Sequence, residues 1–201
     1  MQLPTYARHQ HRWFYCGPAV VQVISNYTYG YRNATVSGET SNNNVFLQSY
    51  ISGRWTRTDA NGQTNLGDLI TGLNASTSRP SYFYWAQWHG PSFADFHAAI
   101  VNDVFSYKMP LAAGVNPHVR GSTYYLYSWR NWQGSTGHYI TINGYSGVPS
   151  SSSKYAYYND SSGGYDEVQP WIAIAGETGA FSDTSYTVYM TMKNNSGDLV
   201  Y

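Results

Sequence analysis

Residues 10–27 read QHRWFYCGPAVVQVISNY and contain the single cysteine of this 201-residue chain, Cys16. Apolar residues follow it at the spacing of one helical face, at Val20, Val23, Ile24 and Tyr27. This period predicts an amphipathic helix. Pro18 fits its first position, where a missing N–H costs nothing, and Gly30 fits its end. The stretch therefore places the cysteine at the N-terminus of a helix.

Composition sets the class of protein and argues against several kinds of partner. A chain of this length can bury the core of one domain, 1–201, without disulfides, and a single cysteine cannot form an internal one. The formal net charge is zero, which argues against binding to nucleic acid or to an anionic membrane surface. No run of roughly 18 apolar residues is present, so no segment is expected to span a membrane.

The balance of polar residues is typical of a secreted protein. Only 11% of the residues are charged, and the polarity comes instead from Ser, Thr, Asn, Gly and 21 Tyr. The first residues, MQLPTYARHQHRW, lack the apolar stretch of a signal peptide. We therefore expect a secreted, extracellular protein in its mature form, with the signal peptide absent from this chain and a monomer as the default state.

Hydrophobic periodicity divides the chain into a helical first half and a β-rich second half. Apolar stripes indicate further helices over 45–51, 66–73 and 92–104, the last with Ser92 as its N-cap. After Pro110 the chain becomes β-prone. The strands predicted there cover 111–115, 124–129, 138–143, 154–160 and 185–193. Segregated elements of this kind predict an α+β fold, with a helical N-terminal half packed on an antiparallel β-sheet C-terminal half.

Cys16 has two possible roles, that of a buried structural thiol and that of a nucleophile. A thiol becomes a nucleophile when it ionises, and the unpaired N–H groups at a helix N-terminus favour its thiolate. Gln10, six residues earlier, could donate its side-chain amide, together with the Cys16 backbone N–H, to the oxyanion of a tetrahedral intermediate. A lone cysteine is more often an inert core residue, so this pattern alone leaves both roles open.

A nucleophilic thiol needs a base, and His138 is the best candidate among the six histidines. It opens the strand 138–143 and shares a face with Ile140 and Ile142, so we expect it to face the helix that begins near Cys16. The other histidines fall on loops or on the outer side of a helix: His9, His11, His89, His97 and His118. The alternative for His138 is a histidine at the edge of the core, bonded to backbone.

A third group is needed to orient the imidazole and to fix its tautomer. Strand 154–160 ends in Asn159 and Asp160, and either residue could reach His138 if this strand pairs with 138–143. Because side chains alternate along a strand, only one of the two can serve. The residues alone do not set the register, and both candidates stay open.

Two blocks of this sequence resemble the papain-like cysteine peptidases, and most closely the C39 and C39-like group. YCGPAVVQVISNY, with Gln10 six residues before the cysteine, is similar to that group's Q-x5-C-G-P-A segment. GHYITINGYSG, 137–147, is similar to its histidine strand, and YYND matches the aspartate of a later strand. TNLGDLITGLN and the 92–115 helix–strand pair also fit, so the resemblance spans roughly residues 8–193.

The resemblance implies a papain-like fold and a hydrolase that cleaves peptide, isopeptide or amide bonds in a peptide or protein substrate. The roles of nucleophile, general base and acid, orienting residue and oxyanion donor are carried over to Cys16, His138, Asp160 and Gln10. The bond would be cleaved through a thioester on the cysteine. Ser161 stands where the group usually has proline, which leaves Asn159 as the alternative orienting residue.

Other functions would use the same residues or belong to another class. Acyl transfer to an amine, or deamidation of protein glutamine, would use the same thioester. A catalytically idle domain that binds peptide or carbohydrate is suggested by seven Trp and 21 Tyr, many of them in 82–90 and 124–134. The intact Gln–Cys–His set favours the enzyme. No metal site or cofactor is expected, because the sequence has neither HExxH nor a cysteine pair.

Overall fold

The computed structural model describes residues 1–31, 36–41, 44–78, 85–86, 98, 100–115, 137–146, 155–162, 172–174 and 199–200. Within these ranges the protein combines helices with a mainly antiparallel sheet, which confirms the α+β class. The division into halves is looser than expected, because short strands also lie among the helices of the first half. None of the helices in these ranges is long and apolar enough to cross a membrane.

Helix α1, Cys16–Thr28, carries the predicted apolar stripe and is buried over most of its length. It begins at Cys16 itself, so Pro18 is its third residue, and the expectation that Pro18 is the first was wrong by two positions. Proline is tolerated there because the first four N–H groups of a helix have no intrahelical partner. Gly30 follows the helix in the left-handed region, at φ 76°, and marks its predicted end.

Shorter helical elements follow α1 along the chain. They are α2 (Gln48–Ile51), α3 (Thr58–Asn61) and α4 (Leu66–Ser76), with π-helical stretches at Ser52–Thr56 and Val101–Tyr107. α4 is the helix predicted from its leucine stripe. α2 begins three residues later than the predicted 45–51, because Leu47 has an extended backbone. The second π-helical stretch occupies the end of the predicted 92–104 helix, where Ile100 and Val104 are buried.

The strands in the described part of the chain form two sheets. In the smaller one, β1 (Arg8–His9) pairs in parallel with β2 (Val36–Ser37). The strands of the larger sheet are β3 (Trp85–Ala86), β4 (Leu111–Val115), β5 (His138–Ser146), β6 (Tyr155–Asn159), β7 (Ile172–Ile174) and β8 (Leu199–Val200). They run antiparallel in the order β3-β8-β4-β5-β6-β7. β4, β5 and β6 are therefore the strands predicted from 111–115, 138–143 and 154–160.

An apolar cluster joins the helices to the sheet. Its buried members are Val20, Val21, Ile24, Ile51, Leu69, Leu73, Met109 and Ala112. Tyr139 of β5 packs against this cluster, and Thr141 pairs with Ala112 in the sheet. The helices thus lie on the face of β5 that carries Tyr139 and not on that of Ile140, but the expected approach of His138 to the start of α1 is present. Both faces of β5 are buried, so its apolar alternation does not distinguish the helical side.

Some predicted features lie outside the described residues and stay predictions. They are the Ser92 cap, the strands at 124–129 and 185–193, most of the aromatic stretches 82–90 and 124–134, and His89, His97 and His118. The elements that carry the candidate nucleophile, base and orienting residues are all described.

Candidate active site

The N-terminus of α1 meets the start of β5 at Cys16. The Cys16 sulfur lies beside the His138 side chain and the backbone N–H groups of Gly17 and Tyr139, and all three favour its thiolate. β5 turns its Tyr139 face to the helices, but His138 is its first residue and reaches the sulfur from the end of the strand. The cysteine is partly exposed, so a reagent or a substrate can reach it.

His138 lies between Cys16 and Asp160. Its Nε2 is 2.7 Å from Asp160 Oδ1, and both side chains are almost inaccessible to solvent. Because Nε2 faces the carboxylate, Nδ1 is left for the Cys16 sulfur. Strand pairing accounts for this contact: Thr141 pairs with Asn159, so the next residue, Asp160, follows on the face that carries His138.

Asn159, the other candidate for orienting the imidazole, points away from it. The Asn159 Oδ1 accepts hydrogen bonds from Thr5 Oγ1 and from Asn143 Nδ2, the second at 3.2 Å. This direction is the opposite of that of Asp160, as alternation along β6 requires. The structure thus brings Asp160 to His138 and places Asn159 in a buried polar group with Thr5 and Asn143.

Ser162 holds the Asp160 carboxylate, and the sequence reasoning missed it. Its backbone N–H and its hydroxyl both donate to Asp160 Oδ1, at 2.9 and 2.7 Å. The hydroxyl also lies 3.3 Å from His138 Nε2. Hydrogen bonds to a carboxylate favour its ionised form, which keeps a negative charge beside the imidazole. The available signal was the spacing of two residues, at which an Asp side chain commonly bonds the following backbone.

Gln10 connects the segment before Cys16 to the segment after Asp160. The Gln10 Nε2 donates to the Trp13 carbonyl at 2.7 Å, and Oε1 accepts from the Ser161 hydroxyl at 3.0 Å. The Gln10 backbone N–H also donates to the Ser161 carbonyl, at 3.2 Å. The structure therefore brings Gln10 to both of the segments that carry the other candidate residues.

Electrostatics at this site favour a thiolate–imidazolium pair. Burial pushes the pKa of Cys16 up, but the hydrogen bond and charge of His138, with the backbone N–H groups, lower it overall below its ordinary value of 9.0. Burial pushes the pKa of His138 down, but the charge and hydrogen bond of Asp160, and then those of Cys16, raise it from 6.5 to about 10. The two shifts have opposite signs, as expected of groups that titrate together.

Gly17 allows the close approach on which this geometry depends. A Cβ at Gly17 would lie 2.1 Å from Thr64 Oγ1, so a larger residue requires displacement. Thr64 is itself held, because its hydroxyl lies 2.6 Å from that of Thr58 and its carbonyl accepts from the Tyr139 hydroxyl at 3.2 Å. Thr64 therefore positions both residues whose backbone N–H groups lower the pKa of Cys16. The glycine after the cysteine was visible in the sequence, whereas no pattern pointed to Thr64.

Of the other histidines weighed in the sequence, His9 and His11 lie among the described residues. His9 belongs to β1, and His11 is exposed beside Tyr15. Across the described ranges, no group of three or more His, Cys, Asp or Glu side chains is arranged to hold a metal ion.

Comparison of the chain with models of known protein families and with curated proteins finds no match. The chemistry of the site follows from its own geometry. A thiol at a helix N-terminus, beside an imidazole that is hydrogen-bonded to a carboxylate, belongs to a set of groups suited to attack on a carbonyl carbon.

Proposed function

We propose that this protein is a cysteine hydrolase with a papain-like fold, which cleaves peptide, isopeptide or amide bonds through a thioester on Cys16. The observation that carries the proposal is the arrangement of the Cys16 thiol beside His138, whose imidazole is hydrogen-bonded to Asp160. A buried imidazole–carboxylate pair costs desolvation free energy. A thiol that only packs in the core would not require such a pair beside it. Its position against a partly exposed thiol supports a catalytic role.

In the first half of the proposed reaction, the Cys16 thiolate attacks the carbonyl carbon of the scissile bond. The carbon–sulfur bond forms as the carbonyl electrons move onto oxygen, and this oxyanion is stabilised by the Cys16 backbone N–H and the Gln10 amide. The intermediate then collapses and expels the amine, which takes a proton from the His138 imidazolium. Asp160 keeps the imidazole in the orientation and tautomer that this transfer needs.

In the second half, water hydrolyses the thioester. Neutral His138 takes a proton from the attacking water, and the second tetrahedral intermediate expels the Cys16 thiolate with release of the acid. The imidazolium that results restores the starting ion pair. An amine in place of water would give acyl transfer by the same steps, so the acceptor decides between the two outcomes.

The proposed substrate is a peptide or protein, and the proposed enzyme is a secreted, single-domain monomer without a cofactor. Trp13, three residues before Cys16, is 75% exposed and offers aromatic contact area beside the nucleophile. The zero formal net charge supports the view that neither nucleic acid nor a membrane is the partner.

A mixed peptide pool tests the proposal directly. Wild type, Cys16→Ala and the control His11→Ala would be incubated with the pool, and new peptide termini would be identified by mass spectrometry. We expect wild type and His11→Ala to produce the same new termini and Cys16→Ala to produce none. His11 provides a matched control because it is an exposed histidine.

The products also separate the variants of this chemistry. Peptides joined to an added amine would show acyl transfer, and intact peptides with glutamine converted to glutamate would show deamidation. Equal cleavage by Cys16→Ala, or no change to any peptide by wild type, would contradict the proposal.

A further inference from the structure

Ser161 is buried beside the candidate site without belonging to the chain of contacts from Cys16 to Asp160. Its hydroxyl donates to Gln10 Oε1 at 3.0 Å, and its carbonyl accepts the Gln10 backbone N–H at 3.2 Å. Ser161 therefore holds both the backbone and the side chain of Gln10 against the residue that follows Asp160.

The contact with Trp13 identifies which end of the Gln10 carboxamide is the NH2 group and which is Oε1. A backbone carbonyl only accepts hydrogen bonds, so the end that lies 2.7 Å from the Trp13 oxygen must be the NH2 group. The other end is then Oε1, which only accepts, and the Ser161 hydroxyl must donate to it. One hydrogen of Nε2 goes to Trp13. The described residues provide no acceptor for the second, which can therefore be donated to another group.

We propose that Ser161 is a positioning residue, which holds the Gln10 carboxamide so that the second N–H of Nε2 is presented to the oxyanion. This assignment rests on the function proposed above. Donors that are fixed before the reaction stabilise an oxyanion without first having to reorient. Without the Ser161 hydroxyl, the carboxamide is held at its NH2 end alone, and rotation can turn its oxygen toward the developing negative charge.

Two reactions of Cys16 distinguish a role of Ser161 in positioning Gln10 from a role in supporting the Cys16–His138 ion pair. Iodoacetamide alkylates Cys16 by displacement at a saturated carbon: the sulfur–carbon bond forms as the carbon–iodine bond breaks, and no oxyanion develops. With p-nitrophenyl acetate the thiolate adds to the carbonyl, an oxyanion forms, and its collapse expels p-nitrophenolate and leaves acetyl-Cys16. A residue that acts on the oxyanion changes the second rate alone.

Four variants give the test its expected results. Ser161→Ala should acylate about tenfold more slowly than wild type, the effect of one hydrogen bond, with an unchanged pH profile of alkylation. Gln10→Ala should acylate about 100-fold more slowly. The double variant should be no slower than Gln10→Ala, because Ser161 acts through Gln10. Ser161→Thr keeps the hydroxyl and should acylate at close to the wild-type rate.

Several results would overturn the positioning role. One is acylation of Ser161→Ala at the wild-type rate, and another is a further tenfold loss in the double variant. A third is an alkylation profile in Ser161→Ala that moves to that of an ordinary thiol, since Ser161 would then support Asp160 and His138. Failure of the proposed function looks different: wild type itself would alkylate as an ordinary thiol without a p-nitrophenolate burst, and the role of Ser161 would fall with it.

Discussion

Two kinds of group favour the thiolate of Cys16. The backbone N–H groups of Gly17 and Tyr139 are fixed and cannot titrate, whereas the His138 imidazole changes its charge with pH. Asp160 has the largest influence among the groups that raise the pKa of His138. The reactivity of the Cys16 thiol therefore depends on the Asp160 carboxylate, which acts on it through His138.

At the level of single residues, we predict that Asp160→Asn makes Cys16 less reactive in weakly acidic solution. Loss of the carboxylate lowers the pKa of His138, so the imidazolium dissociates at lower pH and the thiolate loses its positive partner. Alkylation near about pH 6 should slow by about tenfold for each unit by which the pKa of Cys16 rises. Asp68→Asn, the same change in the first turn of α4, is the matched control and should alkylate as wild type does.

Asn159, the neighbour of Asp160, provides a contrasting prediction, in which stability changes and the reactivity of Cys16 does not. Asn159→Ala removes hydrogen bonds to Thr5 and Asn143, so it should lower the free energy of unfolding by about 1–3 kcal/mol. The pH profile of Cys16 alkylation should not move. Urea unfolding and alkylation of the same sample measure both effects. A profile that shifts in Asn159→Ala and stays fixed in Asp160→Asn would reverse the choice of orienting residue.

Two helices allow a test at the scale of secondary-structure elements. α1 and α4 each have glycine as the second residue, Gly17 and Gly67. A Cβ at Gly17 would lie 2.1 Å from Thr64 Oγ1 and 2.5 Å from Thr64 Cβ, whereas a Cβ at Gly67 would meet no atom within 4 Å. The same substitution should therefore have opposite effects on the two helices.

We predict that Gly17→Ala lowers the free energy of unfolding by about 1–3 kcal/mol through overpacking. It should also slow alkylation of Cys16, because the start of α1 must move away from Thr64. Gly67→Ala should raise stability by about 0.4–1 kcal/mol through the lower entropy of the unfolded chain. Denaturant midpoints of both variants measure the difference, and equal stabilities for the two would show that Thr64 does not restrict the helix start.

Local patterns were sufficient to predict several elements but not how they face each other. The stripes of α1 and α4 and the strands β4, β5 and β6 follow from periodicity, because each is a property of neighbouring residues. The helical side of β5 was predicted wrongly because buried residues occupy both of its faces. The pairing of β5 with β6, which selects Asp160 over Asn159, is a long-range contact and left no local signal.

The candidate site is assembled from parts of the whole molecule that are distant in sequence. Cys16, His138 and Asp160 were proposed from chemistry and from a resemblance, and the structure brings their side chains into one chain of contacts. Thr64 could not be chosen beforehand, because hydroxyl residues are common in this sequence and its role comes from the tertiary structure. For Ser162, the spacing of two residues from Asp160 was a signal, but it does not by itself identify the site.

The stability of the whole molecule should respond to pH through two opposing groups. The pKa of His138 is raised from 6.5 to about 10, so its contribution is complete below 6.5 and is lost as the pH rises through about 10. The pKa of Cys16 is lowered from 9.0, so its contribution is complete above 9.0 and is lost as the pH falls through the lowered pKa. At pH values below 9.0 that lie above both 6.5 and the lowered pKa of Cys16, the two effects cancel.

We therefore predict that Cys16→Ala reveals a decline in stability that wild type hides. Without the thiol, Asp160 still stabilises the His138 imidazolium. The free energy of unfolding should therefore fall as the pH rises above 6.5, with a slope of at most about 1.4 kcal/mol per pH unit. The stability of wild type should be nearly constant in that part of the interval that lies above the lowered pKa of Cys16 and below 9.0. Urea titrations at several pH values measure both curves. A Cys16→Ala protein whose stability rises over this interval would contradict the raised pKa of His138.

The central claim is that Cys16 and His138 form an ion pair, and the alkylation rate of Cys16 tests it most directly. The rate with iodoacetamide would be measured from about pH 4 to about pH 9 in wild type, His138→Ala and the control His11→Ala. We predict a reactive thiolate well below the ordinary pKa of 9.0 in wild type and in His11→Ala, and its loss in His138→Ala. A rate that rises only near that pKa, and that the His138 substitution leaves unchanged, would make Cys16 an ordinary thiol and would contradict the proposed hydrolase.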